Sequence, residues 1–149
     1  MAVRKLILAV DHSPASHEAL EFAVTNLYRE GDELHFVHCF KPLQPAVGPH
    51  YSYVPSEEEQ ANWRREQSHV LEEFVKDARA KNPGLTCRAI LISGDPREEL
   101  IAYAETESAS MIVVGSRGRG ALKRAILGSV STYVVTHSKI PVVVCHAKA

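Results

Sequence analysis

Met111-Ile112-Val113-Val114-Gly115-Ser116-Arg117-Gly118-Arg119-Gly120, running on to Gly128-Ser129-Val130-Ser131, is the stretch from which the fold can be read. An apolar, β-branched run stops at a glycine, a loop rich in Gly and Arg follows, and Gly128-Ser129 opens a helix. A strand ending in such a loop is a phosphate cradle. Glycines let backbone N–H groups close on an anion, and the first turn of a helix favours negative charge. Arg117, Arg119, Lys123 and Arg124 lie in the stretch with no acidic residue among them, in a chain whose formal net charge is only -1. The cradle is not a P-loop, because no Gly-Lys-Ser/Thr closes it, and Gly118-x-Gly120 lacks the third glycine of the dinucleotide fingerprint.

Outward from this stretch, strands and helices alternate. Residues 3–10 are a compact apolar run that fits a strand buried on both faces, and Asp11 follows at once. Ser13-Pro14 reads as a helix cap with proline at the first helical position. The helix runs through Ala15, Ala19, Leu20, Ala23, Val24 and Leu27 to about Arg29, where Gly31-Asp32 ends it. Residues 33–40 are a second strand. Residues 41–55, with Pro42, Pro45, Gly48, Pro49, Tyr51, Tyr53 and Pro55, are expected to form no regular element. Ser56-x-x-Glu59 is a capping box that starts a long helix. Trp63, Val70, Leu71, Phe74, Val75 and Ala78 form its expected inner face, and Asn82-Pro83-Gly84 stops it. A third strand (85–93), a short helix after Asp95-Pro96, a fourth strand (110–114), a helix over 130–137 and a fifth strand (140–145) complete the chain. This alternation predicts an α/β fold, one domain over residues 1–149, with a mostly parallel sheet and right-handed crossovers. Ligands of such sheets bind outside the carboxyl ends of the strands, where Asp11 and the glycine loop both fall.

Composition narrows the function. With 149 residues, 45% of them apolar, and a net charge near zero, the chain has no general attraction for nucleic acid or an acidic membrane. No run approaches membrane-spanning length, and Asp11 interrupts the N-terminal apolar run before it could serve as a signal peptide. Cys39, Cys87 and Cys145 have no metal-type spacing and read as reduced core residues, which points to the cytoplasm. His35 and His38 are an odd number of residues apart in a strand, so they are expected on opposite faces rather than as a ligand pair. No dedicated carboxylate cage for a metal is visible.

Gly115-x2-Gly118-x9-Gly128-Ser129 resembles the G-x2-G-x9-G-S/T signature of the ATP-binding branch of the universal stress protein family. The resemblance extends from Leu6 to Cys145 and is weakest between Lys41 and Ser56. It implies an open five-stranded sheet in the order 3-2-1-4-5 with helices on both faces. That fold is Rossmann-like, or adenine nucleotide alpha hydrolase-like. It further implies that ATP, or AMP or ADP, lies across the crevice between strands 1 and 4, with magnesium, where present, carried by the phosphates. By that resemblance Asp11 meets the adenosine end of the nucleotide, and Ala9 and Cys39 stand where relatives have proline and valine. Val114, Gly115, Arg117, Gly118, Gly128, Ser129 and Val130 match positions around ribose and phosphates, and Ser131 is either a further contact or a solvent-facing residue. For Asp11 the residues alone leave two roles open, an acceptor for ribose hydroxyls or an amino group, and a cap for the following helix. The resemblance implies a nucleotide-dependent regulator of the stress response that pairs as a homodimer through its C-terminal strand. A slow ATPase, a nucleotide-independent dimeric interaction protein and, more distantly, a flavodoxin-type domain are the alternatives.

Overall fold

Residues 2–116 and 127–146 are described by a computed structural model. In chain order the elements are β1 (Lys5–Ala9), α1 (Pro14–Phe22), β2 (Glu33–Phe40), β3 (Ala46–Gly48), β4 (Tyr51–Tyr53), α2 (Glu57–Lys81), β5 (Cys87–Ser93), α3 (Pro96–Thr106), β6 (Met111–Gly115), α4 (Ser129–His137) and β7 (Val142–Cys145). The five long-range strands form one parallel sheet ordered β5-β2-β1-β6-β7, which is 3-2-1-4-5 when the strands of this sheet are counted along the chain. Side chains alternate across β1, so that Leu6 and Leu8 meet Leu20 of α1 and Phe74 of α2, while Ile7 faces Leu100 of α3 and Val134 of α4. Both faces are thus covered, as a parallel sheet requires.

Helix α1 starts as its sequence predicts: the Ser13 hydroxyl accepts from Ser16 N at 3.2 Å and Pro14 takes the first position. Its end differs. The chain continues as a wider π-helical turn over Ala23–Leu27, closed by Tyr28 N donating to Ala23 O, and then extends. A distant partner ends the helix, because the Arg4 guanidinium donates to Leu27 O and to both carboxylate oxygens of Asp32. Gly31, at φ +94°, makes the turn into β2 instead.

Helix α2 has the full capping box, Glu59 N to Ser56 Oγ at 3.1 Å and Ser56 N to Glu59 Oε1 at 3.2 Å. Trp63 is not a core residue; it is half-buried and its indole N–H donates to Lys41 O at 2.9 Å. Residues 41–55 are more regular than expected, since β3 and β4 pair as a short antiparallel hairpin in the register Ala46↔Tyr53 and Gly48↔Tyr51. Its prolines all lie outside the paired positions, so none removes a ladder hydrogen bond. Gln60 of α2 brackets Leu43 through both backbone groups, at 3.0 and 2.9 Å, and Tyr53 OH donates to Glu59. Of the three free cysteines only Cys145 is buried; Cys39 and Cys87 are half-buried.

Candidate functional site

Strands β1 and β6 are neighbours, yet the chain leaves β1 towards β2 and leaves β6 towards β7. The sheet therefore has its switch in winding direction at the β1/β6 boundary, and a cavity of about 200 Å³ opens there at the carboxyl ends of the strands. One wall is apolar. Ala9 of β1, Val37 and Cys39 of β2, and Val114 of β6 supply it from the sheet, and Pro96 and Leu100 of α3 close it from the side.

Asp11 enters this cavity directly after β1. Its Oδ1 accepts from Ser13 N at 2.7 Å, and its own N–H donates to Ser16 Oγ at 3.0 Å. The role of helix cap belongs to Ser13; Asp11 shapes the turn before it, and its Oδ2 has no hydrogen-bond partner among the described residues. One carboxylate oxygen is thus structural, while the other accepts from none of the described residues.

The start of α4 lines the same cavity. Gly128 is its N-cap and offers no capping side chain, so the first-turn N–H groups around Ser129 and Val130 form an uncapped, partially positive end at the cavity. Both ends of the glycine loop are pinned at one point. Ser116 N donates to Cys145 O at 2.7 Å, while Ser116 O accepts from Gly128 N at 2.6 Å and from Ser131 Oγ at 2.8 Å. Ser131 is therefore a buried tie rather than a solvent-facing residue. Gly115 has a packing reason as well as a place in the lining, because a Cβ there would stand 2.8 Å from Ala15 Cβ and 2.9 Å from the Ala15 carbonyl carbon. The other residues read as the cradle, Arg117, Gly118, Arg119, Gly120, Lys123 and Arg124, lie outside the described residues.

Of the expected site residues, Ala9, Asp11, Cys39, Val114, Gly115, Gly128, Ser129 and Val130 come together around this one cavity. Burial, reinforced by Glu99 and then Asp95, pushes the Cys39 thiol up to about 12, so the sulfur is a neutral wall atom and not a nucleophile. Val10, Ser13, Ser16, Val37, His38, Pro96 and Leu100 also line the cavity and were not legible as site residues. Their only signal was position, at or just after the carboxyl ends of strands whose neighbours the sequence alone does not give. His35 and His38 do face opposite sides: His35 Nδ1 lies 2.7 Å from Tyr103 OH of α3, while His38 Nδ1 donates to Val10 O at 2.9 Å and its Nε2 lies 2.9 Å from Gln67 Oε1 of α2. Among the described residues no group of three His, Cys, Asp or Glu could hold a metal ion, and no helix is long and apolar enough to cross a membrane.

Residues 2–146 match the universal stress protein family. The chain belongs to that family. This universal stress protein is 32% identical to universal stress protein YxiE of Bacillus subtilis over 145 residues, 94% of this chain and 97% of YxiE. It is 30% identical to universal stress protein Rv1996 of Mycobacterium tuberculosis over 142 residues, covering 93% of this chain but only 43% of the mycobacterial protein. It thus spans less than half the length of that relative and nearly all of YxiE. Among solved structures, a universal stress protein family protein from Arabidopsis thaliana with AMP bound superposes with a TM-score of 0.70 at 23% identity, covering 98% of this chain and 93% of the other. A universal stress protein in complex with cAMP gives 0.72 at 20% identity, with 99% and 100% covered. At these identities the superpositions establish the fold, and they agree with the sheet order found in this universal stress protein.

Proposed function

We propose that this universal stress protein binds an adenine nucleotide in the carboxyl-edge cavity, ATP foremost and ADP or AMP as alternatives, and acts as a nucleotide-dependent regulator of stress responses. One observation carries the reading. A carboxylate oxygen of Asp11 that has no partner among the described residues and the N-terminus of α4, whose cap Gly128 brings no side chain, line one largely apolar cavity. A ligand with a flat apolar ring, hydroxyl or amino donors and an anionic tail matches all three features. The structural relatives that hold AMP, cAMP and dAMP support the choice of adenine. The described lining offers no carboxylate beyond Asp11, so magnesium, where it accompanies the nucleotide, would be held chiefly by the phosphates.

A regulator is favoured over an ATPase because the described lining shows no group evidently placed to activate a water. Asp11 holds its turn through one oxygen, both His38 nitrogens are engaged, and Cys39 stays protonated. Hydrolysis at this site would therefore be slow. We take the cytoplasm as its compartment, a reading supported by the free cysteines. We also propose a homodimer through β7, an edge strand whose one neighbour in the sheet is β6.

Two measurements test the nucleotide reading. Purified protein is denatured and the released small molecule identified by mass, and ATP, ADP, AMP and GTP are titrated calorimetrically into stripped protein. Adenine nucleotides are expected to bind saturably and more tightly than GTP. Absence of binding by any adenine nucleotide at millimolar concentration would overturn the assignment.

A further inference from the structure

The α3-facing side chains of β2 are, in order, His35, Val37 and Cys39, and opposite them α3 presents Tyr103, Leu100 and Pro96. The upper two levels of this ladder, Val37 and Cys39 against Leu100 and Pro96, are the apolar wall of the cavity. The lowest level is polar and buried. His35 is 0% exposed, with its Nδ1 at 2.7 Å from Tyr103 OH and its Nε2 at 3.4 Å from Glu33 Oε1. Tyr103 OH lies 3.3 Å from Glu107 Oε1, Lys5 of β1 holds Glu107 Oε2 at 3.1 Å, and Arg88 of β5 holds Glu33 Oε1 at 3.2 Å. The groups facing the imidazole are thus Glu33 from its own strand, Tyr103 from α3, Glu107 from the cap at its end, and Arg88 and Lys5 from the flanking strands.

This chain has two hydrogen-bonding states. When His35 is neutral, the Tyr103 hydroxyl can donate to Nδ1, and Glu107 is left to Lys5. When His35 is charged, both ring N–H groups donate, to Tyr103 and to Glu33, so the Tyr103 proton must turn to Glu107. Burial pushes His35 below the usual histidine range, with Glu33 pulling the other way, and Tyr103 is raised to about 12, so the phenol keeps its proton in both states. The folded joint therefore favours the neutral imidazole, and a charge there weighs on the seating of α3 against β2.

We propose that His35 is a proton-responsive positioning residue of the ligand cavity: charging it unseats α3 from β2, loosens the wall formed by Val37, Cys39, Pro96 and Leu100, and weakens nucleoside binding as pH falls. The inference rests on the nucleotide reading of the cavity and adds its regulation. Linkage makes the effect reciprocal, so that a bound nucleoside holds His35 neutral to lower pH.

Adenosine is the probe, because it carries no phosphate that titrates in the same range. Its affinity, measured by calorimetry at pH 7.5 and 5.5, is expected to fall in the wild type on acidification by up to about fivefold, the lower end of ordinary allosteric coupling. His35→Gln, which cannot charge, is expected to show a clearly smaller pH dependence of adenosine affinity than the wild type. A second arm needs no variant: NMR titration of the His35 ring should show its midpoint moving down when adenosine is added. Equal pH dependence in wild type and H35Q, or a His35 midpoint unmoved by adenosine, overturns the proposal. Binding of equal strength at both pH values overturns it and leaves the nucleotide reading standing. Absence of any adenosine or ATP binding at pH 7.5 overturns the nucleotide reading first, and this proposal with it.

Discussion

At the scale of single residues, the turn-holding role of Asp11 and its proposed ligand role can be separated, because its two oxygens are differently engaged. Oδ1 secures the turn into α1 through Ser13 N, and Oδ2 has no hydrogen-bond partner among the described residues. Asp11→Ala should cost about 1 kcal/mol of stability for the lost turn bond, and about 1.5–3 kcal/mol of affinity for ATP and AMP alike. Tripolyphosphate binding should be nearly unchanged. Asp11→Asn keeps an oxygen for Ser13 N and should recover the stability but not the affinity. Thermal melts and calorimetry on the two variants check this, and full retention of affinity by D11A would remove Asp11 from the site. Gly115 makes a complementary case. Gly115→Ala would set a Cβ 2.8 Å from Ala15 Cβ, between β6 and α1, and should destabilise the ligand-free protein by about 1–3 kcal/mol. If Gly115 mattered only for ligand approach, the ligand-free melt would not move.

At the scale of elements, helix ends and loops depart most from what local sequence suggests. The end of the first helix is held by Arg4, whose guanidinium reaches Leu27 O at 2.9 Å and Asp32 Oδ2 at 2.5 Å. Asp32 is 5% exposed, and the Arg4 hydrogen bond, backed by Arg29 N, holds its carboxyl below the usual aspartate range. A carboxylate with a depressed folded value stabilises fully above its unfolded pKa of about 3.9. That contribution disappears as pH falls through the folded value. Urea unfolding of the wild type should therefore lose stability below about pH 4 more steeply than Asp32→Asn does. Arg4→Met should cost about 1.5–3 kcal/mol at neutral pH, having left a buried carboxylate without its partner.

At the scale of the whole molecule, the edge strand β7 is where the proposed pairing would take place. Pro141 O and Cys145 O accept from Ile112 N and Ser116 N, at 2.9 and 2.7 Å, so the odd-numbered positions of β7 point their backbone groups at β6. Alternation turns the N–H and C=O of Val142 and Val144 outwards, along the free edge. Val143, whose side chain packs on the α1/α2 face, is a poor place to test pairing because a change there disturbs the core. Val144→Pro removes one outward donor and leaves the β6 ladder intact, with some loss of Val144 packing on the α3/α4 face. Sedimentation velocity should show wild-type dimer and V144P shifted to monomer, and a wild-type monomer at micromolar concentration would exclude pairing through β7.

Reading the sequence was enough for much of this architecture, because the information was local. Apolar runs of strand length, the Ser13-Pro14 and Ser56-x-x-Glu59 caps, and glycine or proline between elements each act within a few residues and survived folding unchanged. The alternation they produce requires a parallel sheet, and a parallel sheet puts Asp11 and Gly115 at its carboxyl edge. The strand order itself came from the resemblance to a family, since no local feature says that β6 lies beside β1. What depended on that order could be seen only in the tertiary structure. Val37, His38 and Leu100 join the cavity because β2 and α3 stand beside β1, and Ser131 is a tie because Ser116 O happens to lie within its reach. The hairpin was not legible because three-residue strands are too short to show a period; Tyr53 ties it to Glu59 of α2, while Gln60 and Trp63 of α2 hold the preceding Leu43 and Lys41. Trp63 left the core and the first helix ended early for the same physical reason. A buried or half-buried polar group takes whichever partner the fold brings near, and that partner can be many residues away in the chain.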